Sequence, residues 1–147
     1  MKLSTRSTYG VRAMLAVALH QGNGPLMTKE IADKNGLPPT YLEQLMVLLR
    51  KAGLLASTRG AHGGYTLNRA AAEISLAEII EVLEGPLVLA DCPTGSGCCG
   101  HPEACALQDV WAEASHGLYQ IFHNISLAQL VERQREKESA SVLMFSI

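Results

Sequence analysis

Four cysteines fall within fourteen residues: Cys92, Cys98, Cys99 and Cys105, spaced C-x5-C-C-x5-C. The thiolate form of cysteine is both a metal ligand and a redox nucleophile, so such a cluster has two main uses. Structural zinc sites usually pair their cysteines about two to four residues apart. That pairing is absent here, which makes zinc the minority reading. The residues between the cysteines are rich in Gly and Pro. A loop of that kind lets several thiolates converge on an iron–sulfur cluster without helical constraint. Adjacent side chains diverge, so one of Cys98 and Cys99 is expected to be spare. His101 lies inside the loop and is a further candidate ligand. A thiol–disulfide switch stays open as the alternative to a cluster. His116 and His123, farther along, read as surface or interface histidines. Four clustered cysteines suit a reducing compartment better than a disulfide framework.

The chemistry that such a sensor would control is suggested by charge. The formal net charge of −2 hides an asymmetry. Residues 1–70 carry nine Lys and Arg against three Asp and Glu, and residues 71–147 carry three against eleven. A basic half joined to an acidic half fits a polyanion-binding module with a separate second function.

The hydrophobic pattern supplies the elements that must position these residues. Apolar residues Tyr9, Ala13, Met14, Ala16, Val17 and Leu19 predict a helix over about 5–20. Thr28 is expected to cap a short helix that stops at Gly36. Thr40 is expected to cap a third helix over 41–52, with Gly53 ending it. Two short helices around a turn form a helix-turn-helix pattern. Residues 54–59 and 64–69 read as two strands joined by the turn Gly60-Ala-His-Gly-Gly64, which is the hairpin of a wing. Ser75 and Glu78 predict a capping box for a helix to Glu84. A long helix is expected from about Cys105 to Phe122, and Ser126 caps a last helix to about Arg135. The apolar stripe around Trp111 has nothing within a small domain to cover it, and reads as a dimer seam.

These elements give a mainly α fold with a small β-hairpin wing, in which a winged helix-turn-helix domain is joined to a long dimerisation helix. The expected divisions are 1–85 for the DNA-binding domain and 86–104 for the cysteine-bearing loop. Residues 105–135 hold the dimerisation and terminal helices, and 136–147 form a tail of uncertain structure. The helix starting at Thr40 turns Thr40, Tyr41, Glu43, Gln44 and Arg50 outward, and the first residues of a recognition helix meet base edges in the major groove. Gln44 suits adenine, and Glu43 suits the cytosine amino group. Glu43 also repels phosphate, so its expected use is discrimination rather than affinity. Lys2, Arg6, Lys51 and Arg59 suit phosphate contact, and His62 in the wing turn suits a polar contact to DNA. The alternative is that these charges form a solvated helix face.

No run of about 18 apolar residues predicts a membrane span, and the N-terminus lacks the pattern of a secretory signal. A cytoplasmic protein with no membrane partner is expected. No nucleotide loop or acid–base pair supports an enzyme.

The sequence resembles the Rrf family of winged-helix transcriptional regulators, most closely the IscR type. The resemblance rests on Met1-Lys-Leu-Ser, Tyr9-Gly, Ala13-Met-Leu, Tyr41-Leu-Glu-Gln-Leu45, Leu48-Leu-Arg-Lys-Ala-Gly53 and Arg59-Gly-x-x-Gly-Gly-Tyr65. Three spaced cysteines and a Trp-bearing helix complete it. It implies a homodimer, often a repressor, that binds a near-palindromic double-stranded DNA operator. It also implies a [2Fe-2S] or [4Fe-4S] cluster held by Cys92, Cys98 or Cys99, and Cys105, sensing iron–sulfur supply, oxidants or nitric oxide. Two positions depart from the family pattern. The IscR type has His three residues after the last Cys, where this chain has Gln108. The nitric-oxide-sensing type has an acid before the Tyr-Gly pair, where this chain has Thr8. The fourth ligand is therefore open among His101, the extra Cys, Asp109 and a group from the partner subunit.

Overall fold

The computed structural model describes residues 3–90 and 105–145. Lys2, Cys92, Cys98, Cys99 and His101 lie outside the described residues. Helix α1 (Thr5–Leu19) begins where the Ser4 hydroxyl accepts the Ser7 N–H. Helix α2 (Thr28–Asn35) ends at Gly36, whose φ of 62° is the left-handed conformation that favours glycine. Thr28 does not cap it, because it is already the first helical residue. The cap position belongs to Met27, whose N–H donates to the Glu30 carboxylate at 3.1 Å. Helix α3 (Pro39–Lys51) also starts earlier than expected, with Pro38 rather than Thr40 at the cap. Proline at the first helical position gives up no hydrogen bond and has its φ preset, so Pro39 extends the helix past Thr40.

Strands β1 (Leu55–Thr58) and β2 (Gly64–Leu67) pair antiparallel, with Leu55 opposite Leu67 and Thr58 opposite Gly64. A short 3₁₀ turn over Ala71–Glu73 leads into α4 (Leu76–Glu84). Only the forward half of the predicted capping box forms here. The Glu78 N–H donates to Ser75 Oγ, but the Glu78 carboxylate is drawn to Arg69 instead. Helix α5 (Ala106–His123) is followed by α6 (Leu127–Phe145). Ser126 and Gln129 form a complete capping box at the start of α6. That helix runs ten residues past Arg135, through the segment expected to be a tail of uncertain structure.

The core is built by α1, α3 and α4, with Met14, Leu42, Leu45, Met46, Leu49, Ile79 and Leu83 buried in it. Gly10 lets α1 approach α4 closely: a Cβ there would lie 2.2 Å from Leu83 Cδ1. The turn between α5 and α6 is tied to this body by its backbone. The Leu76 N–H donates to the Ile125 carbonyl and the Leu127 N–H to the Ile74 carbonyl, both at 2.8 Å. Among the described residues, no helix is long and apolar enough to cross a membrane.

Candidate nucleic-acid interface and metal centre

Helix α3 divides cleanly into two faces. Leu42, Leu45, Met46 and Leu49 point into the core, at the spacing that puts apolar residues on one side of a helix. Thr40, Glu43, Gln44, Val47 and Leu48 line a shallow, open concavity on the other side. Thr40, Glu43 and Gln44 are exposed. Tyr41 is half-buried, its ring edge-on to Tyr9 of α1 at a centroid distance of 6.1 Å. Arg50 and Lys51 are exposed in the last turn, where cations are favoured by the helix dipole. Arg50 Nη1 also donates to Ser57 Oγ at 3.5 Å, linking α3 to β1.

The wing beside α3 depends on two glycines. The Gly63 N–H donates to the Gly60 carbonyl at 3.0 Å, and a Cβ on Gly63 would sit 2.3 Å from the Thr58 carbonyl oxygen. Gly64 has φ of 151°, and a Cβ there would sit 2.5 Å from the Leu26 carbonyl oxygen. That crowding arises because Leu26 and Tyr65 exchange two backbone hydrogen bonds at 2.9 Å each. The bridge anchors the hairpin to the body, and Arg59 and His62 are left exposed at its tip.

Arg6 is exposed on the first turn of α1. That turn is held by Glu84, the last residue of α4: the Ser4 N–H donates to Glu84 Oε1 at 3.0 Å, and the Ser4 hydroxyl donates to the same oxygen. The Ser4 hydroxyl bond is the main cause that holds the Glu84 carboxyl below its ordinary range. Ser7 contributes in the same direction, against a smaller opposing effect of desolvation. The Ser7 hydroxyl is buried and makes no well-formed hydrogen bond among the described residues. A contact across eighty positions leaves no local sequence signal, and Glu84 was not among the predicted site residues. Val47 was missed too, although its spacing from Glu43 and Gln44 places it on their face.

Cys105 occupies the N-cap position of α5 and is half-buried, in no disulfide among the described residues. Its carbonyl accepts the Gln108 N–H at 3.0 Å. Gln108 and Asp109 therefore stand in the first turn beside it. Among the described residues, no three His, Cys, Asp or Glu side chains come together as a metal site. Beyond Cys105, α5 buries none of its residues in the protomer. Leu107, Val110, Trp111 and Ile121 are 59, 51, 40 and 60 % exposed. Midway along the helix, Ser115 Oγ accepts the Leu89 N–H at 2.9 Å. Tyr119 and His123 stack at 5.4 Å on the same helix, and His116 is exposed.

Residues 3–133 match the Rrf2 family, described as an iron-dependent transcriptional regulator. The chain is 39 % identical to the HTH-type transcriptional regulator IscR of Erwinia tasmaniensis, over 91 % of this chain and 81 % of that protein. Its structure is similar to that of T. potens IscR, with a TM-score of 0.77 and 38 % identity over 93 % of this chain and 90 % of the other. It is equally similar to CymR, the global cysteine regulator of B. subtilis, with a TM-score of 0.77 and 34 % identity over 90 and 98 % of the two chains. The helices and two-stranded wing are those of winged-helix regulators.

Proposed function

This chain belongs to the Rrf2 family of DNA-binding transcriptional regulators, which are not enzymes, and we propose that it acts as a homodimeric, cytoplasmic repressor whose hold on its operator is set by a cysteine-ligated iron–sulfur cluster. The observation that carries this reading is the placement of Cys105 at the start of a helix that fully buries none of its side chains and leaves Leu107, Val110, Trp111 and Ile121 exposed. One helix thus joins a candidate ligand to a candidate dimer seam. DNA contact is assigned to Thr40, Tyr41, Glu43, Gln44, Arg50, Lys51, Arg59, His62, Arg6 and Lys2. Two such surfaces in a dimer would meet successive half-sites of a palindromic operator.

Cys105 fits a cluster ligand. Apart from the Gln108 N–H, which donates to the Cys105 carbonyl, the first-turn N–H groups of α5 have no intrahelical acceptor, and such a terminus favours a negatively charged ligand atom. Cys92, Cys105 and one of Cys98 and Cys99 would hold the cluster, with the fourth position drawn from His101, the other cysteine, Asp109 or the partner subunit. A [2Fe-2S] cluster, or alternatively [4Fe-4S], supplies when bound a group sensitive to oxidants, nitric oxide and iron–sulfur supply. Protein purified without oxygen is expected to be coloured and to contain iron and sulfide, with Mössbauer spectra giving cluster type. Colourless protein after anaerobic reconstitution would overturn the cluster reading.

The likeness to a cysteine regulator favours a second reading, in which the thiols themselves are the switch. It predicts operator binding that responds to oxidation and survives removal of iron.

A further inference from the structure

Val47 is an apolar side chain on the wrong side of its helix for packing. Its neighbours Leu45, Met46 and Leu49 are buried in the core, whereas Val47 neither joins the core nor packs against it. It is partly exposed and lines the open concavity of α3 together with Thr40, Glu43, Gln44 and Leu48. It stands four residues after Glu43 and three after Gln44, the spacings that put side chains on one helix face. A β-branched residue is a modest helix former, since its side-chain rotation is restricted in a helix, so helix propensity does not account for the half-buried Val47. A partner arriving at that face would cover the part of Val47 that the protomer leaves open.

Resting on the DNA-binding reading above, we propose that Val47 is a specificity-determining residue that reads the C5-methyl group of a thymine in the operator. In the major groove each base pair presents a distinct edge, and the thymine methyl is its apolar feature. Gln44 offers both a donor and an acceptor to an adenine edge, and Glu43 offers only acceptors. Neither rewards a methyl group. Val47 supplies an apolar contact one helical turn farther along this face, with Leu48 the other apolar side chain at the concavity. The pair Gln44 and Val47 then reads a short A/T-containing step by two independent chemistries.

The full-length protein is first used to select an operator from a pool of random duplexes. Each thymine is then replaced in turn by deoxyuridine, which removes the methyl group and leaves every hydrogen-bonding group in place. For the unsubstituted protein, one such replacement in each half-site is expected to weaken binding about fourfold, the factor for burying one methyl-sized group. Val47→Ala is expected to bind the all-thymine operator with that same loss and to be indifferent to deoxyuridine at that position. Its circular dichroism should be unchanged. The proposal is overturned if no position shows the methyl effect, if Val47→Ala retains it, or if Leu48→Ala abolishes it while Val47→Ala does not. Failure to select any operator would instead remove the DNA-binding reading on which the proposal rests.

Discussion

Helices α1, α3 and α4 bury apolar side chains fully against one another, and α5 fully buries none of its own. Both regions use the same apolar residue types, so composition does not separate them. The difference lies in what each finds within the protomer. In the body, Met14, Leu45, Ile79 and Leu83 converge on one core, and Gly10 even removes a side chain to bring two helices closer. In α5, Leu107, Val110, Trp111 and Ile121 stand in solvent on a helix of eighteen residues. Most helical stability in proteins comes from packing an apolar face, and these side chains of α5 gain little of it within the protomer. The body is complete as one chain, and α5 is finished by the proposed second copy.

The strongest way to break this contrast is to charge the uncovered helix. Replacing Val110 and Trp111 together by Asp is expected to yield monomers in sedimentation velocity while the body keeps its cooperative unfolding. Loss of two-site attachment should weaken binding to a palindromic operator by about 10²–10⁴-fold. Dimers that persist, or an operator affinity that does not change, would refute the assignment of α5 as the seam.

A pair of glycine substitutions sharpens the contrast from both sides. Gly64→Ala puts a Cβ against the Leu26 backbone at a positive φ. It is expected to destabilise the body by about 1–3 kcal/mol, seen as a lowered Tm in calorimetry. Gly117 on α5 has nothing within 4 Å of an added Cβ in the protomer. Gly117→Ala should therefore leave the fold intact and gain up to about 1 kcal/mol of helix propensity. If it impairs association instead, the partner helix packs on that position.

The charge asymmetry is tested by salt. Arg59→Ala is expected to weaken binding to all sequences alike and to flatten the slope of log affinity against log salt by about one unit. Glu113→Ala on α5 should leave that slope unchanged.

The smallest expected effect is on pH. The Glu84 carboxyl is held low in the folded protein, so its contribution is fully present above its unfolded pKa. That contribution is lost as pH falls through the lower, folded value. Glu84→Gln should lower Tm slightly near neutral pH and narrow its gap from the unsubstituted protein under acid conditions. A gap that stays constant down to the acid limit would show that the carboxylate charge is not what matters.

Local signals made most of the body legible in the sequence. Gly36 and Gly53 marked helix ends because left-handed backbone is cheap only for glycine. In the wing, Gly60 marked the turn by its positive φ, and Gly63 and Gly64 by backbone too close for a Cβ. The misses came where a competing partner decided. The Glu78 carboxylate left its predicted capping bond for Arg69, and Pro39 took the helix start from Thr40. The extent of α6 was missed because its polar residues 132–141 carry no apolar period strong enough to announce a helix. The bond from Ser4 to Glu84 and the Leu26–Tyr65 bridge join distant positions and have no local signature. In the candidate site, the faces of α3 followed from helical spacing. The cysteine pattern identified a class of chemistry, with Cys105 alone of the four among the described residues.

The joint between the body and the α5–α6 turn rests on peptide groups: Leu76 N–H to Ile125, and Leu127 N–H to Ile74. The hydroxyls at that joint are occupied elsewhere, Ser75 and Ser126 each starting a helix. Such a connection asks little of side-chain identity and forbids chiefly proline at the two donors, which would remove the N–H. Descendants of this chain can therefore alter the surface that α5 presents, and with it their choice of partner, while inheriting the same attachment of that helix to the DNA-reading body.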